Sequence, residues 1–203
     1  MIAKVGPEDA DAAAAALRRD GVVVIERAVP DARIAGLRSA METEYPACLG
    51  LAPLPVDRHQ VGEGRFNTPI VFGGAFAIAD ILFAPVFERL FETLLGRDWQ
   101  IEALGAVFAL PGAADQKLHR DGAFLYPETQ LDRILPPQAL TFACPLVRVD
   151  AGCGPTLFYP GSHRVTGDAG SVPEAPDIEV GSVAVWDFRV AHFGQANPGP
   201  AAR

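Results

Sequence analysis

The residues best suited by type and spacing to carry chemistry lie in the run Gln116-Lys117-Leu118-His119-Arg120-Asp121-Gly122. In an extended chain, residues two apart project to the same side. His119 and Asp121 then offer one imidazole and one carboxylate to the same space. A second histidine would complete a facial triad, the set that holds Fe(II) on one side and leaves the opposite positions open. The pair alone is a weak signal. Its bland alternative is a histidine hydrogen-bonded to its neighbours at a strand end.

The third ligand has three candidates: His59, His163 and His192. His59 falls in an irregular stretch. His163 follows Pro160-Gly161-Ser162, a turn where local hydrogen bonding is the ordinary role. His192 sits in the strand-like run Val190-Ala191-His192-Phe193 and is the best of the three on context. Beyond it, Asn197-Pro198-Gly199-Pro200 reads as a type II turn centred on Pro198-Gly199. A hairpin folded there sets residue 192 opposite residue 203, about 5 Å apart at Cβ. Residue 203 is an arginine. A guanidinium offers paired donors and a permanent charge, so Arg203 could take the far carboxylate of a diacid that chelates the metal.

These residues need a scaffold, and the chain falls into two parts. Residues 7–19 read as a helix with Pro7 in its first turn, acidic residues at its N-terminal end and Gly21 as its stop. Gly21 to Ile25 is a buried β-branched strand. A second helix opens at Pro30-Asp31 and runs to about Glu44, with Ile34, Leu37 and Met41 on one face. Pro85 to Leu95 is a third, with Val86, Phe87, Leu90, Phe91 and Leu94 in one stripe and Gly96 beyond. Between them, residues 46–68 are broken by prolines and glycines and are expected to form a lid or substrate-facing loop. After residue 98 no helical period appears. Strand-like runs at 99–110, 117–124, 139–149, 155–159, 180–187 and 190–195 point to a β-sandwich or barrel with helices on one side.

Bulk properties agree with one globular domain over 1–203, a helical and lid part over 1–98 and a β core over 99–203. The 49% apolar content allows a real core, and the 21% charged content argues against disorder. A net charge of −8, with no basic cluster beyond Arg18-Arg19, disfavours nucleic acid or an anionic membrane as partner. Three irregularly spaced cysteines without a CxxC argue against a disulfide framework or zinc ribbon. The first residues lack the apolar run of a signal peptide, so the expected location is cytoplasmic.

The order Gln-x-x-His-x-Asp, then Gly154-Pro155-Thr156-Leu157-Phe158-Tyr159-Pro160-Gly161-Ser162-His163, then His192 with Asn197 and Arg203, resembles the phytanoyl-CoA hydroxylase-like family of 2-oxoglutarate dioxygenases. Its microbial, natural-product-tailoring members are the most similar. The resemblance covers about residues 99–203. It implies a mostly β fold, a double-stranded β-helix (jelly-roll, cupin-like barrel) with the N-terminal helices packed on one side. It implies Fe(II) held by His119, Asp121 and His192, with 2-oxoglutarate and O2 as co-substrates. Arg203 would grip the distal carboxylate of 2-oxoglutarate and Gln116 would assist; Arg65, Thr141 and Thr156 are further candidate contacts.

The implied reaction oxidises, by hydroxylation in the first instance, an unactivated C–H bond of a small, largely apolar molecule and releases succinate and CO2. Tyr126, Phe124, Trp186, Phe188 and Phe66 are candidates to line the substrate space. Two departures from the family pattern stand out. The sequence stops at Arg203 where the family continues, which suggests truncation or a differently stabilised last arm. Asp121 is present where related halogenases lack the carboxylate, which favours oxygen transfer. The rival readings are a non-catalytic metal- or small-molecule-binding jelly roll and a cupin-type isomerase. A hydrolase lacks its GxSxG motif here.

Overall fold

The computed structural model describes residues 1–53, 59–166 and 172–203, His59 by its backbone alone. Strand β1 (Ala3–Val5) is followed by helix α1 (Ala10–Asp20). The Asp9 carboxylate caps α1 by accepting from Ala12 N, and Gly21, at φ 77°, ends it. Only a residue without Cβ takes that left-handed turn at little cost. Strand β2 (Val22–Ile25) follows, then α2 (Asp31–Glu44).

The stretch expected to be a lid contains two strands, β3 (His59–Gly62) and β4 (Arg65–Pro69). Its glycines mark a hairpin turn, Gly64 having φ 65°, and not an open loop. Residues 54–58 of that stretch lie outside the described residues. Next come a short helix α3 (Ala79–Leu82) and α4 (Pro85–Leu95), in which the five stripe residues Val86, Phe87, Leu90, Phe91 and Leu94 are all buried as their spacing predicts.

The second part contributes β5 (Gly105–Ala109), β6 (Leu140–Ala143), β7 (Thr156–Phe158), β8 (Val183–Asp187) and β9 (His192–Gly194). These strands are shorter than the apolar runs suggest. Pro145, which has no N–H to give a ladder, follows close behind β6. Residues 117–124 are not a strand. Only His119 pairs there, exchanging two backbone hydrogen bonds with His192 at 3.0 and 2.9 Å. Helical turns also occur after residue 98, at Leu131–Arg133 and Ser162–Arg164.

The strands form sheets ordered β1-β2-β8-β6, β3-β4-β5 and β7-β9. This is a jelly roll whose described strands do not close into a continuous barrel. The first sheet is the centre of the molecule. Val23, Ile25, Val183 and Val185 on one face join the core made with α1, α2 and α4. Val22, Val24, Ala184 and Trp186 on the other face pack with Phe158, Val149, Ile178 and Val190. Burial on both faces explains why β2 reads as an unbroken β-branched run. It also sets Trp186 against the small sheet that carries His192. No helix among the described residues is long and apolar enough to cross a membrane.

Candidate metal centre

The backbone exchange between His119 and His192 brings residues 73 apart in sequence side by side, their ring centroids 4.5 Å apart. Asp121 completes the group. Its Oδ1 lies 3.9 Å from Nε2 of His119 and 3.6 Å from Nε2 of His192. One ligand atom from each of the three residues lies within 4.8 Å of the other two.

Both imidazoles are oriented by backbone carbonyls two residues before them. Nδ1 of His119 lies 2.9 Å from the Lys117 carbonyl, and Nδ1 of His192 lies 3.0 Å from the Val190 carbonyl. A carbonyl only accepts, so each Nδ1 carries the proton and each Nε2 keeps its lone pair for a metal. His192 is buried, and desolvation holds it below the ordinary imidazole range, with Asp121 opposing. Burial thereby favours the neutral form that binds metal. Two imidazole nitrogens and one carboxylate oxygen fit ferrous iron, with room for further ligands.

The second oxygen of Asp121 is differently engaged. Oδ2 accepts from Thr141 Oγ1 at 2.6 Å and from Trp186 Nε1 at 2.9 Å. Thr141 and Trp186 are direct cross-strand partners in β6 and β8. The Trp186 ring also meets Phe158 and His192 edge-on, at 5.2 and 5.4 Å. Thr141, expected at the co-substrate, and Trp186, expected at the substrate, are therefore both tied to the carboxylate.

Two residues beyond His192, Gly194 faces the same side of β9, opposite Thr156. A Cβ at Gly194 would stand 2.7 Å from Arg65 Nη1 and 2.7 Å from Gln116 Oε1. Arg65 is 0% exposed. Its Nη2 donates to the Gln195 carbonyl at 2.6 Å, while Nε and Nη1 have no hydrogen-bond partner among the described residues. Burial pushes its pKa down to about 10, with the nearby charge of Arg203 adding to the shift. Arg203 is itself held below its usual value by burial, and its Nη1 donates to the Gly154 carbonyl. Two guanidinium groups thus stand near each other, with the charge of Asp115 opposing the shift of Arg65 only in part, some 7 Å along the strand from His192 by residue spacing. A carboxylate there would satisfy the orphaned donors and relieve the repulsion.

Arg203 does not arrive by the hairpin that its sequence suggests. His192 pairs with His119 and Phe158, whereas Arg203 exchanges two backbone hydrogen bonds with Ala109 of β5. Gly199 does not take the positive φ that a type II turn requires. Instead the Asn197 side chain shapes the turn. Its Oδ1 accepts from Gly199 N, and its Nδ2 donates to the carbonyls of Ala109 and Ala201.

Gln116 is a brace. Its Oε1 accepts from Gly194 N and its Nε2 donates to the Val61 carbonyl, joining β9 to β3. Phe66 stacks on Phe108 and packs, partly buried, against the main core. His163 turns toward α1, with Nε2 3.4 Å from the Arg18 carbonyl. The side chain of His59 lies outside the described residues.

Phe124 lies under the Arg120 guanidinium, 5.3 Å away, and Phe188 abuts Gly122. Tyr126 is exposed, but its backbone is anchored by Asp132, which accepts from Leu125 N at 3.1 Å and Tyr126 N at 2.6 Å. Arg189 binds Asp187 through both carboxylate oxygens, at 2.9 and 2.6 Å, and donates to the Asp132 carbonyl. This buried network was not foreseen from the sequence. It ties the segment after Asp121 to the end of β8.

The model of the phytanoyl-CoA dioxygenase family matches residues 17–203. The chain belongs to this family. Among curated relatives, dioxygenase aneA of Aspergillus aculeatus is 28% identical over 201 residues, covering 89% of this chain and 65% of that protein. Dioxygenase af480 of Aspergillus fumigatus is 30% identical over 124 residues, covering 58% of this chain and 39% of that protein. The chain thus spans less than two thirds of either relative. Two crystal structures share its fold. EctD from S. alaskensis in its apoform superposes with a TM-score of 0.66 at 21% identity, covering 98% of this chain and 75% of that one. AviO1 from Streptomyces viridochromogenes gives 0.68 at 19% identity, covering 96% and 91%. The likeness of this phytanoyl-CoA dioxygenase family member to both takes in the N-terminal helices as well as the β core.

Proposed function

We propose that the protein is an Fe(II)- and 2-oxoglutarate-dependent dioxygenase that hydroxylates a C–H bond of a small, largely apolar metabolite, with release of succinate and CO2. The observation that carries this reading is one pairing on the inner face of β9. The donor set of His119, Asp121 and His192 stands at one end, and the guanidinium of Arg65, whose Nε and Nη1 have no hydrogen-bond partner among the described residues, stands beside Gly194 at the other. A metal-chelating 2-oxo acid with a distal carboxylate fits both ends at once.

In this reading His119 and His192 give Nε2 to the metal and Asp121 gives Oδ1. Bound ferrous iron would supply the activation of O2 and the oxidising power for the C–H bond. Arg203 and Arg65 take the distal carboxylate, with Thr156 facing it from the opposite strand. Gln116 keeps Gly194 in place between them. Trp186 and Phe158 form a dry wall against His192, which strengthens the charged contacts by excluding water. Phe124, Tyr126 and Phe188 lie on segments adjoining the metal ligands and are the residues proposed to meet an apolar substrate. The two curated relatives are named dioxygenases, which supports oxygen chemistry here.

The test has two steps. Anaerobic addition of Fe(II) and then 2-oxoglutarate should produce a visible metal-to-ligand charge-transfer band. On admitting air, succinate should form in an amount limited by 2-oxoglutarate and stop in Asp121→Ala. Absence of the band at saturating metal and acid would overturn the reading.

A further inference from the structure

Asp121 has two oxygens, and they are not equivalent. Oδ1 faces both imidazoles, while Oδ2 accepts from the Thr141 hydroxyl at 2.6 Å and the Trp186 indole at 2.9 Å. We infer that Thr141 and Trp186 are positioning residues that restrict Asp121 to one-oxygen coordination, and so keep a site on the metal open for the ligands the reaction needs.

This inference rests on the metal-centre reading above. A carboxylate beside a divalent ion can bind through one oxygen or through both. The second mode consumes a further coordination position. An oxygen that already accepts two hydrogen bonds must give up at least one of them to turn toward the metal. The donors are well placed to prevent that turn. They stand opposite each other in adjacent strands, so one pair of β6–β8 neighbours fixes both. Neither can drift easily. Trp186 is 8% exposed and wedged between Phe158 and His192. Thr141 sits in mid-strand, where a branched Cβ limits its side chain to few rotamers. Trp186 also packs on the ring of His192, so a single side chain orients two of the three ligands. The indole and the hydroxyl thus set how the carboxylate binds, beyond filling space.

The experiment uses Co(II) as a spectroscopic probe in the full chain under air-free conditions, with Thr141→Val and Trp186→Phe as isosteric or near-isosteric removals of each donor. Both variants should bind Co(II) about 10- to 100-fold more weakly, the range for lost partners of metal ligands. Their visible ligand-field bands should also change in position and intensity as Asp121 takes up two-oxygen binding. Thr141→Ser should restore both the affinity and the spectrum. Wild-type spectra in Thr141→Val and Trp186→Phe would overturn the inference while leaving the metal centre intact. Failure of the parent protein to bind Co(II) would instead overturn the metal-centre reading itself. Should Thr141→Val fail to fold, the Trp186→Phe spectrum decides alone.

Discussion

Arg65 and Gly194 fit together as a side chain and the gap left for it: Nη1 of the buried guanidinium lies where a Cβ on residue 194 would come within 2.7 Å. Gly194→Ala should therefore displace Arg65 or Gln116 Oε1 without a change of fold. The apparent KM for 2-oxoglutarate should rise by at least about tenfold, consistent with weakening a charged hydrogen bond of roughly 1.5–3 kcal/mol. Steady-state succinate assays check this. An unchanged KM would show that the guanidinium does not contact the acid.

Arg65 and Arg203 should differ in what they do for the free protein. Arg65 is desolvated, keeps two nitrogens without a hydrogen-bond partner among the described residues and feels the Arg203 charge, which Asp115 opposes. Arg65→Met should thus leave the thermal stability of the acid-free protein unchanged or raise it, while weakening 2-oxoglutarate binding. Arg203→Ala should weaken binding by roughly 2–3 kcal/mol. Calorimetry with and without the acid separates the two effects. A fall of several degrees in the Tm of acid-free Arg65→Met would count against an anion-binding role for Arg65.

Removal of Arg189 should be far more damaging than removal of a surface arginine. Its side chain and those of Asp187 and Asp132 are each 3% exposed. Arg189→Met removes the cationic partner of two buried carboxylates, and breaking such a pair costs about 3–5 kcal/mol. Arg89→Met, which breaks an exposed ion pair with Asp11, should cost under about 1 kcal/mol. Denaturant titration compares them. Equal losses would mean the buried network is not a strut.

Mild acid should destabilise the metal-free protein partly through His163. Burial holds its imidazole below the ordinary value of 6.5, with the Asp187 charge opposing and Arg164 and Arg189 reinforcing. The unfolded chain therefore takes up a proton that the native state refuses as pH falls past that value. The contribution is complete above the unfolded value and is lost as pH drops toward the lowered native one. His192 shifts in the same direction, so His163→Gln should remove only part of the slope of Tm against pH between about 7.5 and 5.5. An identical slope in the variant would exclude His163 as a source.

What the sequence made legible was local. Pro85 and Gly96 bracket α4, and its apolar stripe is buried as spaced. The two-residue step from His119 to Asp121 and the choice of His192 over His163 follow from period and context, and the three residues do converge. Long-range pairing was harder to read. Gly62 and Gly64 look like the marks of a loop, so β4 and the burial of Arg65 were hidden. The role of Thr141 and Trp186 depends on the β6–β8 register, which one sequence does not specify. Arg203 reaches the site through Ala109, because the Asn197 amide outcompetes the turn that Pro198-Gly199 suggests.

Strand β2 lies between β1 and β8 in the central sheet, and Arg65 comes from β4. A fragment beginning near residue 99 would carry every proposed metal ligand, yet would expose the edge of β8 and lose one of its two guanidinium groups. The proposed site is therefore not held by the histidine-bearing portion alone, and a minimal version for engineering must keep the first strands and helices attached.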